Sequence, residues 1–114
     1  MEIAAYDFGH VEIDHKDYDT DVIVGPERIV DHWWRKEGHR LDIEDLDEIL
    51  AENPRILIVG TGYYSRMTVP AETRHYLEKQ GIELHLSDTR SAVNDFNRLQ
   101  RQYGRVVAAL HLTC

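Results

Sequence analysis

The sequence of 114 residues contains a single cysteine, Cys114, and only three prolines. One cysteine cannot form an intramolecular disulfide, so the fold does not depend on the cross-links that stabilise many small secreted domains. A reducing cytoplasm is the expected location. There is no low-complexity tract and no internal repeat, and the composition is that of an ordinary globular domain.

The chain also lacks a long hydrophobic run. Its longest strictly apolar stretches are Ile56–Val59 and Val106–Leu110, whereas a helical membrane span needs about 20 residues. The acidic Glu2 makes the N-terminal stretch unlike a signal or transit peptide. We therefore expect no membrane span and one domain over residues 1–114, long enough to bury about two-thirds of its surface.

Basic charge is scarce in the first half of the chain. Residues 1–52 carry 16 acidic and 5 basic side chains, whereas residues 53–114 carry 5 and 8. Such an acidic half repels a phosphate backbone, which argues against nucleic-acid binding. It is interpreted either as a solvated acidic face or as a surface for a basic partner or for head-to-tail self-association.

The first third of the chain has the pattern of short β-strands, with turns at Gly9, His15–Asp19 and Gly25-Pro26. The predicted strands are Ile3–Phe8, His10–Ile13, Asp21–Val24 and Arg28–Trp34. They suggest an antiparallel N-terminal β unit.

The rest of the chain alternates between helix and strand. Helices are predicted from Asp42 to the Asn53-Pro54 stop, from Pro70 to Gln80, and from Ser87/Asp88 to Gly104, the last with Tyr103 on its buried side. The strands between and after them are residues 56–60, 82–86 and 105–112. This β-α-β-α-β order predicts an α/β fold in which the apolar strands 56–60 and 106–110 are parallel neighbours and strand 82–86 lies outside them.

Ligands of open α/β sheets bind beyond the carboxyl ends of the strands. One such end offers a candidate anion site formed by a glycine loop, two hydroxyls and a cation: Gly60, Thr61, Gly62, Ser65 and Arg66. Its spacing is not that of a dinucleotide-binding loop, and the alternative is that the glycines only turn the chain. The sequence indicates no cofactor.

His111 is the candidate acid/base at the end of the last strand, with Ser65 or Cys114 as conceivable nucleophiles. The alternative is a structural histidine. The other six histidines match no metal-binding spacing, so no metal site is predicted.

Two adjacent tryptophans, Trp33 and Trp34, precede the cationic Arg35 and the titratable His39. If residues 28–34 form a strand, the two rings point to opposite faces, so only one can enter the main core. The other is either covered by a neighbouring element or lines a contact surface, where aromatic and arginine side chains dominate binding energy.

Four segments together resemble a known family. They are W-W-R-x-x-G-H at 33–39, G-T-G at 60–62, V-P with a following threonine at 69–73, and L-H-L-T-C at 110–114. The chain resembles small domains of unknown function found across archaea, bacteria and mitochondria, a family that includes a mitochondrial respiratory complex I assembly factor and the adipogenesis-associated domain protein. The resemblance implies a three-layer α/β domain with a mixed sheet, no established catalytic activity, and an assembly role through protein binding.

We therefore expect a non-catalytic protein-interaction or assembly domain in the cytoplasm that can form a homo-oligomer. The alternative is a small-molecule or anion-binding domain, or an enzyme, that uses the strand ends. A shared cleft for His111, Arg66 and the 60–62 loop would favour the alternative.

Overall fold

A computed structural model describes residues 1–114. Its main sheet has five strands: β4 (Val22–Val24), β5 (Ile29–Val30), β6 (Ile56–Gly60), β7 (Glu83–Ser87) and β8 (Val106–Leu110). Their spatial order is β5-β4-β8-β6-β7. Strand β6 is parallel to both β7 and β8, and β4 is antiparallel to β8. The predicted parallel pair at the centre of a mixed sheet is therefore confirmed, as is the outer position of β7.

The burial of the strands explains this order. Every residue of β6 and β8 is buried, because these strands are apolar on both faces and have helices or strands packed against each side. Strand β7 contains exposed Glu83 and Leu86. A half-polar strand is stable only at the edge of such a sheet.

The N-terminal residues form a separate antiparallel sheet, β1 (Ile3–Asp7), β2 (His10–Ile13) and β3 (Lys16–Tyr18). The third strand lies inside the segment that was predicted to be a turn. The turn is shorter because Asp14 and His15 both adopt positive φ, 49° and 67°, which matches the two-residue hairpin loops whose twist suits the flanking strands.

Three α-helices and one short 3₁₀ helix cover the main sheet. They are α1 (Asp47–Ala51), α2 (Ala71–Lys79), α3 (Thr89–Gln100) and the 3₁₀ helix Ile43–Asp45. The predicted helix after Asp42 is therefore divided, with Leu46 between its two parts. None of the helices combines the length and apolar composition that a membrane crossing demands.

The main sheet separates two hydrophobic cores. Helix α3 and the three-stranded sheet enclose one core, which contains Phe96, Ile58 and Ala108. The first two helical segments, α2 and the Trp33 loop enclose the other, which contains Leu57 and Val107. Successive residues of β6 and β8 thus contribute to opposite cores, as side-chain alternation along a strand requires.

Two predicted boundaries are wrong. The strand expected at Arg28–Trp34 is limited to β5, because His32 adopts a positive φ of 53° that breaks extended pairing. Both tryptophans therefore lie in a loop. Helix α3 ends at Gln100, and Tyr103 beyond it is 46% exposed instead of buried.

Candidate functional site

The pairing of β4 with β8 places Asp21 beside His111. Val22 is opposite Leu110 in this antiparallel pair, so the residues just beyond them also face each other. The imidazole Nδ1 of His111 donates a hydrogen bond to Oδ2 of Asp21 at 2.7 Å. The main-chain N–H of Leu112 donates to the other oxygen at 2.8 Å.

Arg35 completes a buried ionic cluster, which consists of Asp21, Arg35 and His111. Its Nη2 donates to Oδ2 of Asp21 at 2.7 Å and to the carbonyl of Gly38 at 2.9 Å. Its side chain is only 4% exposed. The chain reaches this position because the N–H of Trp33 donates to the carbonyl of Asp21, which fixes the loop that carries Arg35.

The two tryptophans have opposite environments. Trp33 is 1% exposed, and the guanidinium of Arg35 lies 4.6 Å from its ring centre, so Trp33 is a packing platform and not the contact residue that the sequence predicted. Trp34 is 71% exposed. Only one of the two rings enters the core, as expected, but a loop and not strand alternation separates them, and Trp34 lies at the surface.

Burial alone would raise the pKa of the Asp21 carboxyl. The hydrogen bonds from His111, from the N–H of Leu112 and from Arg35 outweigh that effect and hold the pKa below its usual value. Asp21 is therefore a carboxylate at neutral pH, and its charge is compensated by the guanidinium. A buried charge cluster of this kind is found at functional sites as well as in structural networks.

The ionic cluster lies at the wall of a cleft of about 270 Å³. We call this space the His111 cleft. Besides the cluster, its lining residues are Asp19, Thr20, Trp34, Gly38, His39 and Thr113. The exposed ring of His39 packs edge-to-face on that of His111, with centroids 5.6 Å apart. The cleft thus unites three of the residues predicted from the sequence, Trp34, Arg35 and His39, with His111.

A base oriented by a carboxylate is one half of a nucleophile–base pair. Neither Ser65 nor Cys114 lines the His111 cleft, so neither is placed to act as the nucleophile. The geometry provides an oriented imidazole and a buried cation, which suit binding of a polar group. No group of three or more His, Cys, Asp or Glu side chains is arranged to hold a metal ion.

The loop at residues 60–66 does not form the cradle of free amides that the sequence predicted. The N–H groups of Thr61 and Gly62 donate to Ser87 and Thr89, and that of Arg66 donates to the carbonyl of Cys114. Gly62, at φ 117°, lies against the main chain of Cys114, where an added Cβ would overlap it. The C-terminal residues thus occupy the space in which an anion was expected.

The predicted common cleft is also absent. Arg66 and Ser65 are exposed, and none of residues 60–66 lines the His111 cleft. His111 is adjacent to Gly60 only through the main chain, since its N–H donates to the Gly60 carbonyl. The two strands end at the same edge of the sheet, as expected from their parallel pairing, but His111 and residues 60–66 do not share a cleft there.

A second feature, which sequence analysis missed, is a cluster of exposed aromatic rings. Phe8, Tyr63 and Tyr64 are 48%, 38% and 61% exposed, and we call them the aromatic patch. Their ring centroids are 5.0–6.1 Å apart. The guanidinium of Arg90 lies 5.8 Å from the ring centre of Tyr63. The adjacent tyrosines after a glycine turn were the one sequence signal for it.

The C-terminal segment lies between the two features. Thr113 lines the His111 cleft, and its carbonyl accepts the N–H of Tyr63 at 2.7 Å. The turn of β1 and β2 also reaches this segment, since the N–H of Gly9 donates to the carbonyl of Leu112. The aromatic patch and the cleft are thus fixed to one another through residues 111–114.

The family described as "Protein of unknown function (DUF498/DUF598)" matches residues 3–111 of the chain. Among solved structures, a conserved hypothetical protein from Pyrococcus horikoshii OT3 is 31% identical, with a TM-score of 0.79 over 100% of both chains. A Mth938-like domain from Bordetella pertussis is 20% identical, with a TM-score of 0.72 over 97% of this chain and 85% of that one. The similarity to this Bordetella domain shows the fold of the chain.

A third similar structure is described as an outer membrane protein from Bartonella henselae. It is 26% identical, with a TM-score of 0.81 over 98% of this chain and 94% of that one. The description concerns that protein alone. A cytoplasmic location for the present chain stays a prediction from its sequence.

Proposed function

We propose that this chain, which belongs to the DUF498/DUF598 family of proteins of unknown function, is a protein-interaction domain that works without catalysing a reaction. The observation that carries the proposal is the aromatic patch of Phe8, Tyr63 and Tyr64. The few residues that carry most of the binding energy of a protein interface are enriched in Trp, Tyr and Arg. Three of them in mutual contact at the surface are an unfavourable arrangement for a chain with no partner.

The geometry of the patch favours a binding role over incidental exposure. Phe8 lies in the turn between β1 and β2, while Tyr63 and Tyr64 follow β6, so two distant segments converge there. The main chain beneath Tyr63 is held by the hydrogen bond to Thr113. A patch that is already ordered loses little conformational entropy on binding, which raises affinity.

Charge around the patch indicates the chemistry of the partner. Arg90 is exposed and lies over the rings of Tyr6 and Tyr63, at 5.7 and 5.8 Å from their centres. Arg66, two residues after Tyr64, is also exposed. Exposed Asp7 beside Phe8 confines the basic part of the rim to the side of Tyr63 and Tyr64. The matching surface is therefore apolar at its centre and acidic where it faces Arg66 and Arg90, since complementary potentials steer association.

An assembly role is the form of protein binding that the family resemblance implies, and the exposed Trp34 offers a second contact beyond the patch. A second copy of the chain is one candidate partner, because its residues 1–52 carry the strong acidic excess that the basic rim requires. Self-association through the patch would then be head-to-tail.

The test is site-specific photo-cross-linking in cells that express the full chain. A cross-linking residue replaces Tyr64, and a matched control replaces Glu78, an exposed residue of α2. We expect position 64 to capture a defined protein. That protein, once purified, should bind the wild-type chain and lose affinity by about tenfold or more with Tyr63→Ala plus Tyr64→Ala.

Equal cross-linking at positions 64 and 78 contradicts the proposal. So does a purified partner that binds the double variant as tightly as the wild type. A cross-link between two copies of the chain identifies the partner as the protein itself. In that case, size-exclusion chromatography with light scattering must show that the double variant dissociates at a higher protein concentration than the wild type.

A further inference from the structure

We infer that the His111 cleft is a binding site for a small monocarboxylate, which Arg35 and His111 hold together. This inference is independent of protein binding by the aromatic patch. It also differs from the anion site that the sequence suggested, because none of residues 60–66 lines this cleft.

The first support is a pair of polar atoms without partners. The Nη1 of Arg35 and the Nε2 of His111 are both buried and form no hydrogen bond within the protein. Their side chains are 4% and 6% exposed. Leaving a buried donor unpaired costs about 1–3 kcal/mol, and more when the group is charged. Both belong to residues that line the cleft, so a ligand there can supply the missing hydrogen-bond partners.

The type of atom that is missing follows from the chemistry of arginine. A guanidinium nitrogen only donates hydrogen bonds, so its partner must be an acceptor. Because Nδ1 of His111 donates to Asp21, its Nε2 is the nitrogen left for a ligand. In the bound state we infer, Nη1 of Arg35 donates to one carboxylate oxygen, and Nε2 of His111 shares a proton with the other.

The charge of the site selects a monoanion. Both oxygens of Asp21 already accept hydrogen bonds inside the protein, so its negative charge is balanced by Arg35. A monocarboxylate that binds together with one proton, held between its oxygen and Nε2 of His111, leaves the cluster neutral. A phosphate dianion adds uncompensated negative charge and also meets Asp19 at the rim. A buried uncompensated charge is strongly unfavourable.

The walls of the cleft set the size of the ligand. At about 270 Å³ the cleft admits a small molecule, since pockets for drug-sized ligands begin near 300 Å³. Trp34 provides an exposed ring against which a short apolar tail packs. The exposed ring of His39, edge-to-face on that of His111, forms another part of the wall.

The experiment is an NMR titration of the isotope-labelled full chain with sodium acetate. Sodium chloride at the same ionic strength, inorganic phosphate and methylammonium chloride are the comparison titrants. We expect acetate alone to cause saturable shifts of the Arg35 side-chain N–H and His111 ring signals. Nuclear Overhauser contacts from the acetate methyl group to the indole of Trp34 place the ligand in the cleft.

Two variants locate the site. Arg35→Gln should abolish the saturable shifts, while Arg66→Gln, which removes the exposed arginine outside the cleft, should leave them unchanged. The amide spectrum of each variant reports whether it is folded. Should Arg35→Gln unfold, the contacts between acetate and Trp34 in the wild type decide the matter. Absence of saturable shifts with acetate, equal shifts with chloride, or loss of binding in Arg66→Gln overturns the inference.

Discussion

The carboxylate of Asp21 and the imidazole of His111 lie 2.7 Å apart, although 90 residues separate them in the chain. This contact exists because β4 runs antiparallel to β8 and brings the residue before one strand to the residue after the other. Arg35 joins the pair from a loop that neither strand contains.

Replacement of Asp21 with Asn should destabilise the protein and remove part of its sensitivity to acid. The folded pKa of Asp21 is lowered. Its stabilising contribution is therefore present above the unfolded value, about 3.9, and is lost as the pH falls through the folded pKa. At neutral pH the variant leaves Arg35 without its counter-ion, at a cost of about 3–5 kcal/mol.

Urea unfolding over a series of pH values measures both effects of the Asp21 variant. Asp19→Asn is the matched control, since Asp19 is an exposed residue on the same cleft. Wild type and Asp19→Asn should lose stability in parallel below about pH 5, and Asp21→Asn should lose less. Identical slopes in all three proteins would show that the ion pair contributes nothing to acid stability.

Burial of Tyr6 should affect how the free energy of unfolding falls at alkaline pH. Burial raises its pKa to about 12, and its hydroxyl donates to the carbonyl of Leu112 at 2.8 Å. Because the folded pKa is above the unfolded one, this stabilisation is complete below about pH 10 and is lost as the pH rises toward the folded value. Tyr6→Phe should cost about 1 kcal/mol at neutral pH and flatten the alkaline decline in unfolding free energy. Tyr64→Phe, at an exposed ring, should show neither effect.

Gly62 should not tolerate alanine. Its φ of 117° is unfavourable for other residues, and an added Cβ would overlap the carbonyl group of Cys114. Gly81 is the control because it has a positive φ of 77° with nothing within 4 Å of an added Cβ. We expect Gly81→Ala to cost about 1 kcal/mol and Gly62→Ala clearly more, as measured by thermal unfolding. Equal losses would mean that the C-terminal residues shift freely.

Asp88 is expected to stabilise the start of α3. Its side chain accepts hydrogen bonds from the N–H and the hydroxyl of Ser91. Asp88→Ala should lower the unfolding free energy by about 1 kcal/mol, the usual value for a helix cap. Asp95→Ala, within the same helix, removes a charge without removing a cap. If Asp95→Ala lowers the unfolding free energy by as much, the effect of Asp88→Ala is due to the lost charge and not to the lost cap.

The architecture of the second half could be predicted from sequence because local patterns determine it. Residues 56–60 and 106–110 are apolar on both faces, which only a central strand satisfies. Alternation at 82–86 placed that strand at the edge. Asp88 and Gly81 marked helix ends through side-chain and backbone chemistry that acts within a few residues.

The candidate sites could not be predicted in the same way. The partnership of Asp21 with His111 depends on which strand lies beside β8, and nothing within the sequence near either residue records that choice. The glycine loop at 60–62 offers no free amide cradle, because the N–H groups of Thr61 and Gly62 donate to Ser87 and Thr89, far along the chain. Long-range pairing, and not residue type, decided both outcomes.

The partition between the two cores bears on how this molecule can be altered. Leu57 and Ile58 are adjacent in sequence but pack in different cores, on opposite faces of the main sheet. Volume changes on the side of Trp33 need compensation only from neighbours on that side, and energetic effects of distant substitutions add. The side chains of one core can therefore be substituted, in evolution or by design, to alter a binding surface while the other core is kept unchanged.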